Sequence, residues 1–312
     1  MEVLVVGNTA YVDDDFCAKA FPGDHVQVVA AQDTRRDESS PHASWKELLQ
    51  HLDQAYEFDR VVYLSNYLTP HTDTVGDIET LRSVFRACAG RRVQLLYVAG
   101  PAGAEGAADA AGRTGKGIIA HAANDLCRYY AAREGVQTKI LRVPFLYTAS
   151  AALEDPFLVP LFDACSTGSV ALQGAQDAAF PLLCAEELAV LVRRIFDSWD
   201  GNFETLDVTD TFHHTAGEVG DALKALFPGL AVAYGDSAGY ALPASDVARV
   251  RYGWFQRYDL LRDLSTIQAR WDAGRAKKVN PLRAAIDRIQ MRTLPIKCLE
   301  TGVAWVLFEV LE

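Results

Sequence analysis

Short strand-like runs alternate with helix-patterned stretches through the first 143 residues, and this alternation restricts the fold to one architecture. Val3–Val6, Val26–Ala31, Val61–Ser65 and Val93–Ala99 are each apolar almost without interruption, as strands buried on both faces must be, and Thr138–Val143 reads as a fifth strand. Between them, the segment from Phe16 onward, Trp45–Tyr56 with Leu48, Leu49 and Leu52 on one side, Ile78–Cys88 and Ile118–Glu134 carry helical spacing. Parallel strands need crossovers of about a dozen residues, and these helices supply them. The fold class expected is therefore α/β, a doubly wound parallel sheet with helices on both faces.

The first unit of that pattern contains a conflict. Val3–Val6 ends at Gly7, and a helix follows from Phe16, the order in which a Rossmann unit opens. A dinucleotide fingerprint then asks for glycine at the next two turn positions, so that backbone and pyrophosphate can approach. Ala10 and Asp13 stand there instead, and Asp14 and Asp15 follow. Two like charges ~5 Å apart at an effective dielectric of about 20 repel by ~3 kcal/mol, a loss of ~100-fold in affinity. A structural role competes with this reading, because aspartate caps helix N-termini well, and Asp13 or Asp14 is expected to do so. On either reading the turn Gly7, Ala10, Asp13 is degenerate as a cofactor site, and no bound cofactor is expected.

Composition bounds the partners. The 312 residues carry a net charge of −11, which argues against nucleic acid or an anionic membrane surface. The six cysteines (Cys17, Cys88, Cys127, Cys165, Cys184, Cys298) form no CxxC pair and read as reduced core thiols. No leader is visible, and no apolar run reaches the ~18 residues that span a bilayer. After Val143 the alternation loosens around Pro144, Pro156 and Pro160. Leu182–Phe196, Ala216–Phe227 and Asp259–Trp271 read as helices, and Glu204–Val208 and Ala231–Tyr234 as short strands. From Ala273 a basic linker, GRAKKVNP, leads into amphipathic stretches between Leu282 and Glu312. The expected organisation is a domain over 1–272, with a core over 1–143 and a smaller lobe over 144–272, then a helical extension over 273–312.

Six segments in order resemble the extended short-chain dehydrogenase/reductases, the nucleotide-sugar epimerases and dehydratases. They are VLVVGNTAYV, FDRVVYLS, LLYVAGPAG, LCRYYAAREGVQTKILRVPFLY, FPLLCAEELAVLV and YGWFQRYDLLRDL, within residues 1–272. The resemblance implies a substrate-type lobe after the core, and a tyrosine and lysine four apart that carry the acid/base step at the start of the long helix. Register from Leu126 and Cys127 places Lys116 at the tyrosine and Ala120 at the lysine. A phenol exchanges a proton with the substrate hydroxyl only when a neighbouring lysine lowers its pKa, and this pair cannot do that. The serine or threonine that polarises the substrate falls at Gly100 or Pro101, and an arginine that grips the diphosphate falls near Ala178. No tyrosine lies between Tyr97 and Tyr129, so no slip of register restores the motif.

These losses lead to the expectation of a catalytically inactive domain of this type, without catalytic or metal-binding residues. Its work would be dimerisation, scaffolding or ligand sensing. The resemblance implies a homodimer through helices 78–88 and 118–134. The end amid apolar residues leads to a further expectation: a cytoplasmic domain at the head of a larger regulatory or exopolysaccharide-biosynthesis protein, tethered to the membrane by a following segment. The rival is an active NAD- or NADP-dependent epimerase or reductase using Lys116 or His121 as acid/base, with the cofactor held despite Asp13; Arg35 and Arg36 could clamp a 2′-phosphate and Asp33 a ribose, but without the glycine turn the arginines read as a solvated charge pair. Gly112–Gly117 fails as a phosphate loop because Ala110 and Gly117 stand where glycine and serine or threonine are required. His213–His214 reads as a polar turn, since neighbours on a strand face opposite ways.

Overall fold

The computed structural model describes residues 1–30, 58–65, 75–100, 115–149, 155–172, 174–209, 211–235 and 245–274. The strands are β1 (Glu2–Gly7), β2 (His25–Ala30), β3 (Arg60–Leu64), β4 (Gln94–Ala99), β5 (Gln137–Arg142), β6 (Phe145–Tyr147), β7 (Ser169–Leu172), β8 (Leu182–Cys184), β9 (Phe203–Asp207) and β10 (Ala231–Tyr234). The helices are α1 (Asp14–Ala20), α2 (Val75–Cys88), α3 (Gly115–Arg133), α4 (Leu158–Ser166), α5 (Ala185–Asp197), α6 (Ala216–Leu226), α7 (Val247–Tyr252) and α8 (260–274). The chain divides into two compact units, Met1–Ile267 and Gln268–Glu312.

Six strands form one parallel sheet in the order β2-β1-β3-β4-β5-β9. The chain steps outward from β1 to β2, then returns past β1 to β3, so the strand order reverses between β1 and β3. The apolar runs make this arrangement stable because both faces of each strand are covered. Val3, Val5, Val62, Leu96 and Val98 pack in one core layer with α1 and α5, whose Phe16, Leu188, Leu191 and Val192 are buried. Leu4, Val6, Tyr63, Leu95 and Tyr97 turn the other way, into a layer with Leu81 and Phe85 of α2 and Ala123, Cys127 and Tyr130 of α3. Phe85 and Tyr130 stack with ring centroids 4.7 Å apart and tie those two helices together.

The lobe after β5 is built from two small parallel pairs, β6 with β8 and β7 with β10. Here the sequence reading of Leu182–Phe196 as one helix is corrected. Leu182–Cys184 is a buried strand, paired with Phe145–Tyr147, and the helix begins at Ala185. Three apolar residues carry no period, so only their partner distinguishes strand from helix. The long helix also starts earlier than expected, at Gly115. Trp45–Tyr56 and Leu282–Glu312 lie outside the described residues.

Two polar clusters hold the lobe and the far sheet edge. Asp155 is 1% exposed and accepts from the amides of Thr148, Phe157 and Leu158 and from the Thr148 hydroxyl, joining the end of β6 to the start of α4. Burial pushes its carboxyl pKa up, against the pull of those donors. On β5, the Lys139 side chain is 1% exposed and its Nζ donates to Glu204 at 2.6 Å and Asp200 at 2.9 Å. Arg251 pairs with the same two carboxylates. Burial works against the Lys139 charge, but the hydrogen bonds to Glu204 and Asp200 outweigh it and raise its pKa.

The raised pKa has a sign. Stability from Lys139 is fully present below the ordinary lysine value of about 10.4 and is lost as pH rises through the higher native value. Melting curves of the wild type should therefore fall more steeply than those of Lys139→Met above about pH 10, the difference reaching a few degrees at ~2–4 °C per kcal/mol.

Candidate active-site crevice

Gly7 sets the geometry of the crevice. Its φ is +107°, and a Cβ built there would lie 2.1 Å from the Leu64 carbonyl oxygen. The next amide, Asn8 N, donates to that oxygen at 2.7 Å. The ends of β1 and β3 are thereby closed onto each other where the strand order reverses, and ligands of open α/β sheets bind in the crevice at such a point. The chain then makes a 3-10 turn over Thr9–Tyr11 and enters α1. Tyr11 turns inward, 2% exposed, and burial first, then the nearby Asp155 charge, lift its pKa well above the ordinary phenol value.

The expectation that an aspartate caps α1 is met at Asp13. Its extended backbone (φ −110°, ψ −178°) lets Oδ1 accept from Phe16 N at 2.7 Å. Asp14 and Asp15 occupy the first turn, and Asp15 pairs with Lys19. Ala10 is exposed.

Across the crevice, β4 ends at Ala99, and Gly100 after it is buried and offers no hydroxyl. Lys116 lies in the first turn of α3, and its side chain is outside the described residues. Ala120 is 3% exposed, so a methyl packed in the protein occupies the lysine place. His121 beside it is half-buried. Ala178 is 7% exposed, and its carbonyl accepts from Ala216 N at 3.0 Å. Pro101, Asp33, Arg35, Arg36 and Gly112–Thr114 are outside the described residues.

The sequence reading missed two features. Arg142, at the end of β5, holds Asp207 of β9 with Nε and Nη2 at 2.6 and 2.8 Å, a two-point clamp between neighbouring strands. The signal for it was a single arginine closing an otherwise buried strand, which asks for a carboxylate partner. The second is an apolar cavity of about 150 Å³ in the lobe, lined by Phe145, Phe157, Phe180, Pro156, Pro160 and Leu161 among others. Its rings come from three separate stretches of chain, so no local pattern announces it.

The turn at His213–His214 is a polar one, with His213 at φ 54°. His214 Nε2 lies 2.7 Å from Asp259 Oδ1. Among the described residues no group of three or more His, Cys, Asp or Glu could hold a metal. Cys17, Cys88, Cys127, Cys165 and Cys184 are free thiols, and burial pushes Cys88 up to about 12.

No protein-family model and no curated protein sequence matches this chain. Solved structures do match it in fold. A short-chain dehydrogenase/reductase superfamily protein from Agrobacterium tumefaciens, with bound NAD, superposes with a TM-score of 0.65 at 13% identity, over 88% of this chain and 99% of that one. A mutant dTDP-glucose 4,6-dehydratase from Streptomyces venezuelae, with NAD bound, gives 0.66 at 13% identity, over 87% and 96%. The UDP-glucose 4-epimerase of Thermotoga maritima, with UDP-glucose, gives 0.64 at 14% identity, over 88% and 100%. The chain has the fold of the extended short-chain dehydrogenase/reductases.

This finding corrects the expectation that no cofactor is bound. Two of these structures are crystallised with NAD, and the fold they share with this chain is an NAD-binding one. The degenerate turn Gly7, Ala10, Asp13 weighed too heavily for a physical reason. The part that shapes the crevice, Gly7 against Leu64, is intact. Among the described residues the side-chain nitrogen of Asn8 is buried without a hydrogen-bond partner. Asp13 caps α1 through Phe16 N, as one of the two aspartates was expected to do.

Asp13→Gly should tighten NAD+ binding by tenfold or more, the upper bound being the ~100-fold that a facing charge costs. Glycine is itself a tolerated cap, so stability should change by only about 0.5 kcal/mol. Titration calorimetry with both proteins reads this, and equal affinities would show that the Asp13 charge does not oppose the ligand.

Proposed function

We propose that this chain, folded as the extended short-chain dehydrogenase/reductases are, holds a nucleotide ligand without transforming it and works in ligand sensing, dimerisation or scaffolding. Ala120 carries the reading. An acid/base step on a sugar hydroxyl needs a phenol whose pKa a lysine lowers, and a buried methyl can neither carry a proton nor shift one. The buried tyrosines near the crevice do not replace it, because burial raises the pKa of both Tyr11 and Tyr147. Loss of chemistry does not entail loss of binding.

The ligand class favoured is a nucleotide sugar. The Thermotoga maritima epimerase is crystallised with UDP-glucose, and the lobe of this chain holds a cavity walled by Phe145, Phe157 and Phe180, suited to a flat ring. A setting in a larger regulatory or polysaccharide-biosynthesis protein at the membrane belongs to this proposal. Among the described residues no helix is long and apolar enough to cross a membrane. The homodimer belongs to this proposal, with Tyr129 on α3, 53% exposed, as the aromatic that a partner helix would cover.

One observation favours a second reading, an active enzyme: His121 follows Ala120 on α3 and is half-buried. Calorimetry with NAD+, NADPH, UDP-glucose and UDP-glucuronic acid, run beside absorbance at the reduced-nicotinamide band and chromatography of the sugars, separates the two. The expected result is saturable binding of a nucleotide with no reduced cofactor and no altered sugar. Turnover that His121→Ala abolishes would establish the enzyme. Light scattering reads the dimer, and Tyr129→Glu should shift it to monomer.

A further inference from the structure

Three of the six large apolar side chains that stand exposed among the described residues, Val250, Phe255 and Tyr258, lie between positions 250 and 258. α7 ends at Gly253, whose φ of +58° turns the chain into a strap over 254–258. The strap lies outside helix and strand, and its side chains alternate between inside and outside from Trp254 to Arg257. Its inner side is locked. Trp254 Nε1 donates to the Glu187 carbonyl oxygen at 3.0 Å, and Gln256 Nε2 donates to the Leu182 carbonyl oxygen at 2.8 Å. The amides of Arg257 and Tyr258 donate to the buried Glu187 carboxylate at 2.6 and 3.2 Å. The alternation then turns Phe255 and Arg257 outward together, and the Arg257 guanidinium lies over the Phe255 ring, 5.0 Å from its centre. Phe255 is 51% exposed and Tyr258 48%. Exposed rings forgo the gain of burial, and rings held out by a bonded backbone meet a partner with little further ordering.

We propose that this patch docks an acidic peptide segment of a partner protein, with an apolar side chain against Phe255 and Tyr258 and a carboxylate on Arg257. The proposal goes beyond the nucleotide and the dimer, and it holds whether or not the crevice is occupied. Charge selects the partner. Within 253–262 the exposed charges are Arg257 and Arg262, and the single acid, Asp259, faces His214 at 2.7 Å. The patch is therefore cationic on a chain whose net charge is −11. Arginine stacks on a ring and offers its N–H groups to a carboxylate in the same pose, and arginine with aromatic rings is the composition of interface hot spots. A bilayer fits less well. Charges interact over about 8 Å at physiological salt, so a short peptide feels mainly the patch, while an anionic membrane faces a whole side of an acidic protein. A second copy of the chain brings the same net negative charge and is repelled in the same way.

The test selects a display library of short random peptides on the wild-type protein. The enriched peptides are then titrated by fluorescence anisotropy against wild type, Phe255→Ser and Arg257→Glu. Both variants should melt with the wild type, since the two side chains point outward and the strap is held by Trp254, Gln256 and Glu187. The expected peptides carry Asp or Glu beside an apolar residue, and each variant should weaken their binding about tenfold or more, the loss usual at an aromatic or arginine hot spot. A library that yields no binder, or binders that both variants retain, overturns the proposal. Binders without acidic residues overturn the assignment of the partner's charge. Two further arms cover the other occupants. Sedimentation with vesicles of phosphatidylserine and phosphatidylcholine that Phe255→Ser abolishes places the patch on a membrane and overturns the peptide. A dimer that Phe255→Ser converts to monomer in light scattering makes this face an interface between copies and overturns it as well.

Discussion

The contact between Gly7 and the Leu64 carbonyl is the constraint on which the rest of the crevice depends. β1 and β3 are neighbours although β2 separates them in sequence, so their crossovers leave the sheet in different directions. A gap opens above two such strands unless their ends close. Closure here uses the Asn8 amide on Leu64 O, at a distance that leaves no room for a Cβ on residue 7 and with a φ that favours glycine. The crevice, the inward turn of Tyr11 and the entry into α1 all follow from that one missing side chain.

The second constraint is that every central strand is buried on both faces. Val3 and Val5 serve one layer while Leu4 and Val6 serve the other, so each strand draws a helix to each side. This has a consequence for the outer surface. The apolar stripes of α2 and α3, which suggest a helical dimer interface when read alone, are used by the sheet: Leu81, Val84, Phe85, Ala123, Cys127 and Tyr130 all face inward. Glu79, Arg82, Arg86, Asp125 and Arg128 are exposed on the outside. Dimerisation through these helices would then be a polar contact around Tyr129, closer in character to a regulated interface than to a split core.

The parts of the fold legible in the sequence were those whose signal is local. Apolar runs mark β1 to β4, and the helical period marks α2, α3, α6 and most of α5. The parts that were not legible depend on contacts far apart in sequence. Leu182–Cys184 is a strand because Phe145–Tyr147 lies beside it, and Arg142 finds Asp207 across 65 positions. At the crevice, register gave the places of Ala120 and Gly100. It put a capping aspartate at Asp13 or Asp14 but could not choose between them, since that is a matter of side-chain direction.

The direction of Asp13 also changes what its substitution means. A glycine at this place serves the ligand and does little for the helix, whereas an aspartate serves the helix at the ligand's expense. An Asp cap contributes ~1 kcal/mol to a helix of only seven residues, too short to hold together on its own propensity. α1 must nonetheless stay folded, because Phe16 and Ala20 fill the core layer shared with α5. If the ligand is sensed and not consumed, occupancy need not approach saturation, and a weaker site that responds over a physiological concentration range is the more useful one. On the proposed reading the same carboxylate would do two things: it secures the helix, and it lowers the affinity of a nucleotide at the helix end.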